Sequence, residues 1–492
     1  MRHAGGSLNF HPVIDIFTLS SRKPKKLSAL RESGENGHPP RPSGTGGAGF
    51  ARRLGLFDAV MLVMGGIVGS GIFMNPHVVA RIVDTPWLIL GAWSFGGVLA
   101  LAGAFIYAEL AARRPAVGGQ YAYIREAFHP LPAFLFGWGL FLVSTSGGLA
   151  AVAMTFSRYT ISLTGTSLPE WSLAAGALAI LTGVNCLGVR TGGTVQSGLM
   201  VIKIAAIVLL VVCGYLFSGT SRFDADAPTS LGSGFDLLTS FGAAMVPVMF
   251  AYGGWQTANF IAGEIKTPEK NLPRGLLFGV LGVVALYLSV NIVSIMVLGA
   301  DGLALSPAPA SEVMRSVLGE TGAKVIACGI MVSTFGFLSQ GILTAPRVYF
   351  AMAEDGLFFR NVSKLHPRTH VPVMAILLQG AAAILVTLSG TYEQILSYVV
   401  SDDFIFFGLS AACLFVFRRA DGRDACAYRV PGHPFTTIAF ILVCAAVVIT
   451  TVYSYPVNTL IGIGILVTGI PVYYFWRGGA GGGPAGGTGK GD

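Results

Sequence analysis

Long apolar runs separated by short polar stretches recur along this chain from residue 57 to residue 476. With about 20 residues to one membrane crossing, they resolve into twelve spans: 57–83, 87–112, 131–162, 171–188, 194–217, 236–263, 273–299, 323–353, 371–389, 393–417, 434–454 and 457–476. Several are too long for a straight crossing and must tilt or bend. Two runs are interrupted at mid-depth. In span one, Gly65-Gly66-Ile67-Val68-Gly69-Ser70-Gly71-Ile72-Phe73 sets glycines and a serine inside the apolar run. Each glycine costs a helix about 1 kcal/mol relative to alanine, so this is where the helix most easily opens. In span six, Met249-Phe250-Ala251-Tyr252-Gly253-Gly254-Trp255 does the same. Gly-rich faces also serve close helix packing. An opened helix, by contrast, leaves backbone N–H groups at the start of its second half, where an anion is received.

Composition narrows the class. The 492 residues are 53% apolar and 11% charged, which excludes an ordinary soluble domain. A net charge of +8 raises the question of nucleic acid. Of the 32 basic residues, however, all but Arg81, Arg158, Lys203, Arg222, Arg315 and Lys324 fall in the N-terminal tail, the even-numbered loops or the C-terminal end. The positive-inside rule then puts both termini in the cytoplasm. Attraction to membrane lipid accounts for the charge, and no nucleic acid is needed. Residues 1–55 are rich in Lys, Arg, Gly, Pro and Ser and are expected to be a disordered tail with no cleavable signal peptide. Residues 478–492 read as a Gly-rich flexible end. The six cysteines form no metal-type spacing and read as reduced thiols. No Ser/His/Asp set, metal cluster or phosphate loop stands out, so neither an enzyme, a metal site nor a cofactor is expected.

Spans one and six hold corresponding places in two five-span halves, 1–5 and 6–10. Paired interruptions of this kind point to a transporter site at the repeat interface. Lys203, in span five, lies about nine residues from the near end of its helix, roughly 14 Å, too far for its stem to reach the surface. It is expected to face the bundle interior, where an ionisable residue is by default a functional candidate; pairing with local carbonyls alone is the other reading. Asp402 and Asp403 interrupt span ten. Two adjacent carboxylates inside a span are not expected to be both ionised and dry. Either one of them lines an aqueous pathway or span ten is irregular there.

Gly-Ile-Val-Gly-Ser-Gly-Ile-Phe (66–73) resembles the first-helix motif of the amino acid–polyamine–organocation superfamily. Phe250–Trp255 and Gly263–Arg274 resemble span six and the loop after it in the L-type amino acid transporter branch. Pro115–Tyr121, and Pro346–Phe350 through Asp355-Gly356, are further matches, in unbroken order over about 55–430. The resemblance implies a LeuT-type 5+5 inverted repeat with discontinuous helices 1 and 6, its core at 56–420 (halves about 57–217 and 236–417), followed by helices 11 and 12 at 430–477. It implies that the backbone around Gly69, Ser70 and Gly71, with the Ser70 hydroxyl, holds a substrate carboxylate. Carbonyls of Ile67, Phe250 and Gly253 would take the ammonium, and Phe250 would be the gate, with a lipid-facing or core-packing role as its alternative. Lys203 would stand where sodium sits in sodium-coupled relatives, with Ser333 and Thr334 at the hydroxyl-ligand positions. Asp403-Phe404 matches an acid followed by Trp, and Asp402 is extra. Ser144, Gln256 and Asp403 are further candidates for the pocket lining. The loop between spans three and four, 163–170, lacks the cysteine by which animal relatives bond a heavy chain, so no such partner is expected.

The reading is a sodium-independent secondary transporter of the inner or plasma membrane, moving amino acids, neutral ones favoured, by exchange or proton symport. Cationic amino acids or polyamines are the alternative substrates, and a non-transporting nutrient receptor is the alternative of another class.

Overall fold

A computed structural model describes residues 52, 54–187, 189–217, 219, 222–224, 232, 234–388, 392–422, 426 and 428–480. The expected tail, 1–55, lies outside these apart from its last residues, as does 481–492. Among the described residues there are helices and no strand; the one extended pairing is between Leu54 and Ile265, with Leu54 N–H donating to the Glu264 carbonyl at 3.1 Å.

In chain order the helices are α1 (Leu56–Ile67), α2 (Gly71–Ile82), α3 (Pro86–Arg113), α4 (Gln120–Ala127), α5 (Pro130–Gly139), α6 (Thr145–Thr164), α7 (Glu170–Cys186) and α8 (Val189–Phe217). They continue as α9 (Phe235–Tyr252), α10 (Pro268–Leu305), α11 (Pro309–Thr344), α12 (Pro346–Glu354), α13 (Val373–Thr387), α14 (Tyr392–Asp421), α15 (Phe435–Ser454) and α16 (Pro456–Ala480). Among the described residues ten helical spans, some of them broken or kinked, are long and apolar enough to cross a membrane, and α13 is a shorter apolar helix. With the 17-residue α7 packed among them, these correspond to the twelve expected spans. The long spans bend rather than simply tilt: α10 kinks at Gly299, and span eight ends at Thr344, where Pro346 starts the separate α12. α16 runs on to Ala480, so helix replaces the first three residues of the expected flexible end.

Start signals sit where the chain turns into the bundle. Proline occupies the first turn of α3, α5, α10, α11 and α12, where its missing N–H costs nothing. Thr85 caps α3 by accepting from Leu88 N–H. Packing carries the internal repeat. α1 packs on α10 as α9 packs on α3; α8 packs on α11 as α14 packs on α6; α7 packs on α11 as α13 packs on α6. Each pair becomes the other when the halves are exchanged, and because five crossings is an odd number the second half runs through the membrane the other way.

The loop motifs that carried the resemblance meet one another. Gly118 N–H donates to the Phe260 carbonyl (3.1 Å), the Tyr121 hydroxyl to Asp355 Oδ2 (2.7 Å), and buried Arg347 Nε to Glu264 (3.0 Å). Beside them Glu109 accepts from Arg113 and Arg418, while Arg114 forks onto both Asp421 oxygens at 2.9 and 3.0 Å. That carboxylate holds the Arg114 guanidinium above its ordinary range. Burial pushes the Tyr121 hydroxyl up to about 12.

Candidate functional site

The first span is broken where its glycines cluster. α1 ends at Ile67, α2 begins at Gly71, and Val68-Gly69-Ser70 between them is not helical. Gly69 N–H turns back onto the Ile67 carbonyl at 2.8 Å, so of the three amides expected to be free this one is already engaged. Ser70 and Gly71 N–H precede the first acceptor of α2, as helix-start donors must. The Ser70 hydroxyl is fully buried with no hydrogen-bond partner among the described residues. Chemically, this is a positive helix end with a spare donor.

The second break faces the first. α9 ends at Tyr252, Gly253-Gly254 turn, and the span resumes as a 3₁₀ helix over Trp255–Glu264. Gly254 has φ +100°, and a Cβ there would stand 1.9 Å from the Gly66 carbonyl oxygen. A Cβ on Gly71 would likewise come 2.6 Å from Ala251 Cα. The glycines therefore serve both readings left open by the sequence: they open the helices and let the two backbones touch. Gln256 Oε1 accepts from Gly254 N–H at 3.0 Å and Thr257 Oγ1 donates to the Gly254 carbonyl at 2.8 Å.

Between the breaks lies a cavity of about 100 Å³. Its wall includes Ile67, Gly69, Ser70, Gly71, Phe250 and Gly253, the substrate-binding candidates, and also Ser144, Gln256 and Asp403, the candidate lining. Phe250 is half-buried in this wall, with Phe337, Phe404 and Phe407 around the same space. The carbonyl at Phe250 accepts Gly253 N–H at 3.2 Å, and that at Ile67 accepts from Gly69 N–H. Neither is an untouched acceptor.

Lys203, Ser333 and Thr334 do not line the cavity; they sit behind the first break. Lys203 is fully buried and its Nζ donates to the Val68 carbonyl at 2.6 Å, inside the non-helical turn. α8 packs on α11, where a Cβ on Gly336, a turn past Ser333, would stand 3.7 Å from Lys203 Cε. The Ser333 hydroxyl is buried with no partner among the described residues. Thr334 Oγ1 instead bonds back to the Ile330 and Met331 carbonyls of its own helix, a bond that serine and threonine readily make in apolar helices.

Span ten decides between the two readings left open for it. α14 is unbroken through Asp402 and Asp403; the irregularity lies opposite, in a π turn over Leu140–Ser144 that joins α5 to α6. Asp403 takes its place in the cavity wall, whereas Asp402 is not part of that wall, its Oδ2 accepting from Ser144 Oγ at 2.6 Å.

Tyr287 and Gln340 are among the residues at the site that went unmarked in the sequence. The Tyr287 hydroxyl reaches both the Ile67 carbonyl (3.1 Å) and the Ala251 carbonyl (3.2 Å), tying the broken helices together, and Gln340 Nε2 donates to the Leu62 carbonyl at 2.5 Å. A phenol and an amide inside apolar runs were the available signal. Tyr252, by contrast, packs against Trp93 and Tyr287, and Trp255 against Tyr107 and Phe407.

A sequence model of the family described as amino acid permease matches residues 54–476. The chain is 32% identical over 435 residues to the serine/threonine exchanger SteT of Bacillus subtilis (strain 168), a match covering 87% of this chain and 97% of that protein. It is 30% identical over 452 residues to the large neutral amino acids transporter small subunit 2 of Rattus norvegicus, covering 88% and 83%. To the human cystine/glutamate transporter it is 28% identical over 442 residues, covering 88% and 87%.

Proposed function

Because the chain belongs to the amino acid permease family, we propose that it carries neutral amino acids without sodium, one zwitterion at a time between the two broken helices. It is a multi-pass membrane protein of the L-type branch and a secondary amino acid transporter rather than an enzyme. The observation that carries the finer reading is the pairing of the two breaks around one cavity, with the unpartnered Ser70 hydroxyl in its wall. The substrate carboxylate is received by Ser70 and Gly71 N–H and the Ser70 hydroxyl, where a helix start favours negative charge. The ammonium goes to the carbonyl side, at Ile67, Phe250 and Gly253, displacing a donor from Ile67, whose oxygen already takes Gly69 N–H and the Tyr287 hydroxyl. Phe250 closes over the bound molecule as the gate.

Sodium independence rests on Lys203. Its ammonium stands on the Val68 carbonyl beside the broken helix, supplying there the positive charge that a sodium ion would bring. Neutral substrates are in keeping with the names of two relatives, a serine/threonine exchanger and a large neutral amino acids transporter. One observation favours a second reading: Asp403 in the cavity wall is a counter-charge for a cationic side chain. The chain is proposed to work in the inner or plasma membrane, with lipid around it, both termini in the cytoplasm and no disulfide-linked heavy chain. In proteoliposomes, a competition panel of neutral and cationic amino acids and polyamines, with and without sodium, tests the substrate and the sodium independence. Uptake that needs sodium, or that only cationic compounds inhibit, overturns the proposal; saturable binding without accumulation makes the protein a receptor.

A further inference from the structure

Among the described residues Asp402 is a buried carboxyl with one hydrogen-bond partner. Its Oδ2 accepts from Ser144 Oγ at 2.6 Å; its Oδ1 is buried with no hydrogen-bond partner among the described residues. The site is built to admit it: a Cβ on Gly139 would stand 2.5 Å from Oδ1, so only glycine leaves room for that oxygen, at the start of the π turn. π turns inside α-helices cluster at functional positions.

Among the described residues no salt bridge reaches Asp402. The charged groups that neighbouring helices bring to α14 gather at its far end. There Glu109 and Arg113 of α3, with Arg114, meet Arg418 and Asp421, sixteen residues on or more, roughly 24 Å. Tyr107 of α3 shares Gln120 of α4 with Ser410, Glu126 of α4 lies toward Cys413, and Cys444 of α15 faces Gly408. Tyr252 of α9 packs tilted against Trp93, and Tyr473 of α16 tilted against Phe134. Asp403 and Tyr398 stand on α14 itself, and the π turn contributes the Ser144 hydroxyl. A carboxylate kept dry without a cation costs several kcal/mol, and a second one beside it adds repulsion.

We propose that Asp402 is a proton-binding site linked to the substrate cavity through Ser144, and that the protonated acid is the form that binds substrate. Ser144 belongs to the cavity wall and also donates to Asp402, so it connects the two. In the transfer, its hydroxyl gives its proton to Oδ2 and takes one from the cavity side, leaving serine unchanged and Asp402 neutral. Closing a dry cavity is favourable over the neutral acid and unfavourable over the bare carboxylate, which sets the sign: substrate and proton bind together, and affinity falls as pH rises.

This inference rests on the transport reading, and one experiment separates the two. Uptake of a ¹⁴C-labelled L-amino acid mixture into proteoliposomes is measured across about pH 5.5 to 8.5 for the wild type, Asp402→Asn, Ser144→Ala and Lys203→Ala. The wild-type apparent KM is expected to rise with pH, approaching tenfold per unit for one linked proton. Asp402→Asn is expected to flatten that dependence, and Ser144→Ala to slow the response to an imposed pH jump. Uptake that is independent of pH in the wild type overturns the proposal whether or not any variant folds. So does a pH dependence that survives Asp402→Asn and disappears in Lys203→Ala, which would assign the proton to the lysine. Absence of uptake at every pH overturns the transport reading, and this inference with it.

Discussion

Replacing Lys203 by methionine separates what the lysine does for transport from what it does for the fold. Methionine keeps most of the apolar stem and removes the ammonium. The ammonium has three N–H donors and donates one of them to the Val68 carbonyl at 2.6 Å in a fully buried site. A hydrogen bond from a charged donor contributes about 1.5–3 kcal/mol. Loss of about 2 kcal/mol from the substrate-holding turn corresponds to roughly a 30-fold weaker interaction at 25 °C. Burying an ammonium with so little compensation costs the fold several kcal/mol, so the two effects have opposite signs. Lys203→Met is therefore expected to melt at or above the wild-type temperature while exchange in preloaded proteoliposomes falls at least tenfold, with sodium making no difference to the wild type. A variant that exchanges at the wild-type rate would show that the lysine only fills space. A variant that is slow because it melts early would refute the sign of the argument.

Tyr287→Phe removes a hydroxyl shared by the Ile67 and Ala251 carbonyls; at about 1 kcal/mol for a neutral hydrogen bond, uptake is expected to drop about fivefold, and an unchanged rate would detach Tyr287 from the site. Gly254→Ala forces a Cβ to 1.9 Å from the Gly66 oxygen at φ +100° and should abolish the folded monodisperse peak in detergent. Gly148→Ala, with nothing within 4 Å of the new Cβ, should raise thermal stability by up to about 1 kcal/mol through helix propensity. Tyr121 is held up to about 12 by burial, so the folded protein keeps a proton that the unfolded chain loses from about pH 10. The resulting stability is complete below about pH 10 and lost as pH rises toward 12. Tyr121→Phe should remove that part of the alkaline slope in a melting series, and parallel wild-type and variant curves would contradict it.

The all-α polytopic fold and the breaks in spans one and six were legible because bilayer thickness and glycine's poor helix propensity act locally, on whatever stretch carries them. The place of Lys203 was legible for a similar reason, since a charge that cannot reach the surface must face inward. Most of the candidate site, from Ile67 to Asp403, was named by the family resemblance, with the fixed polarity of helix ends as the physical warrant for the backbone groups. What remained depended on which distant residues meet. No local signal brings Tyr287 onto two carbonyls 36 and 220 positions away, commits the Thr334 hydroxyl to its own helix, or decides that span ten stays helical while a π turn forms beside it in span three. Those outcomes are settled by close packing between helices remote in sequence, where each buried donor or acceptor bonds whatever partner the neighbouring helix presents.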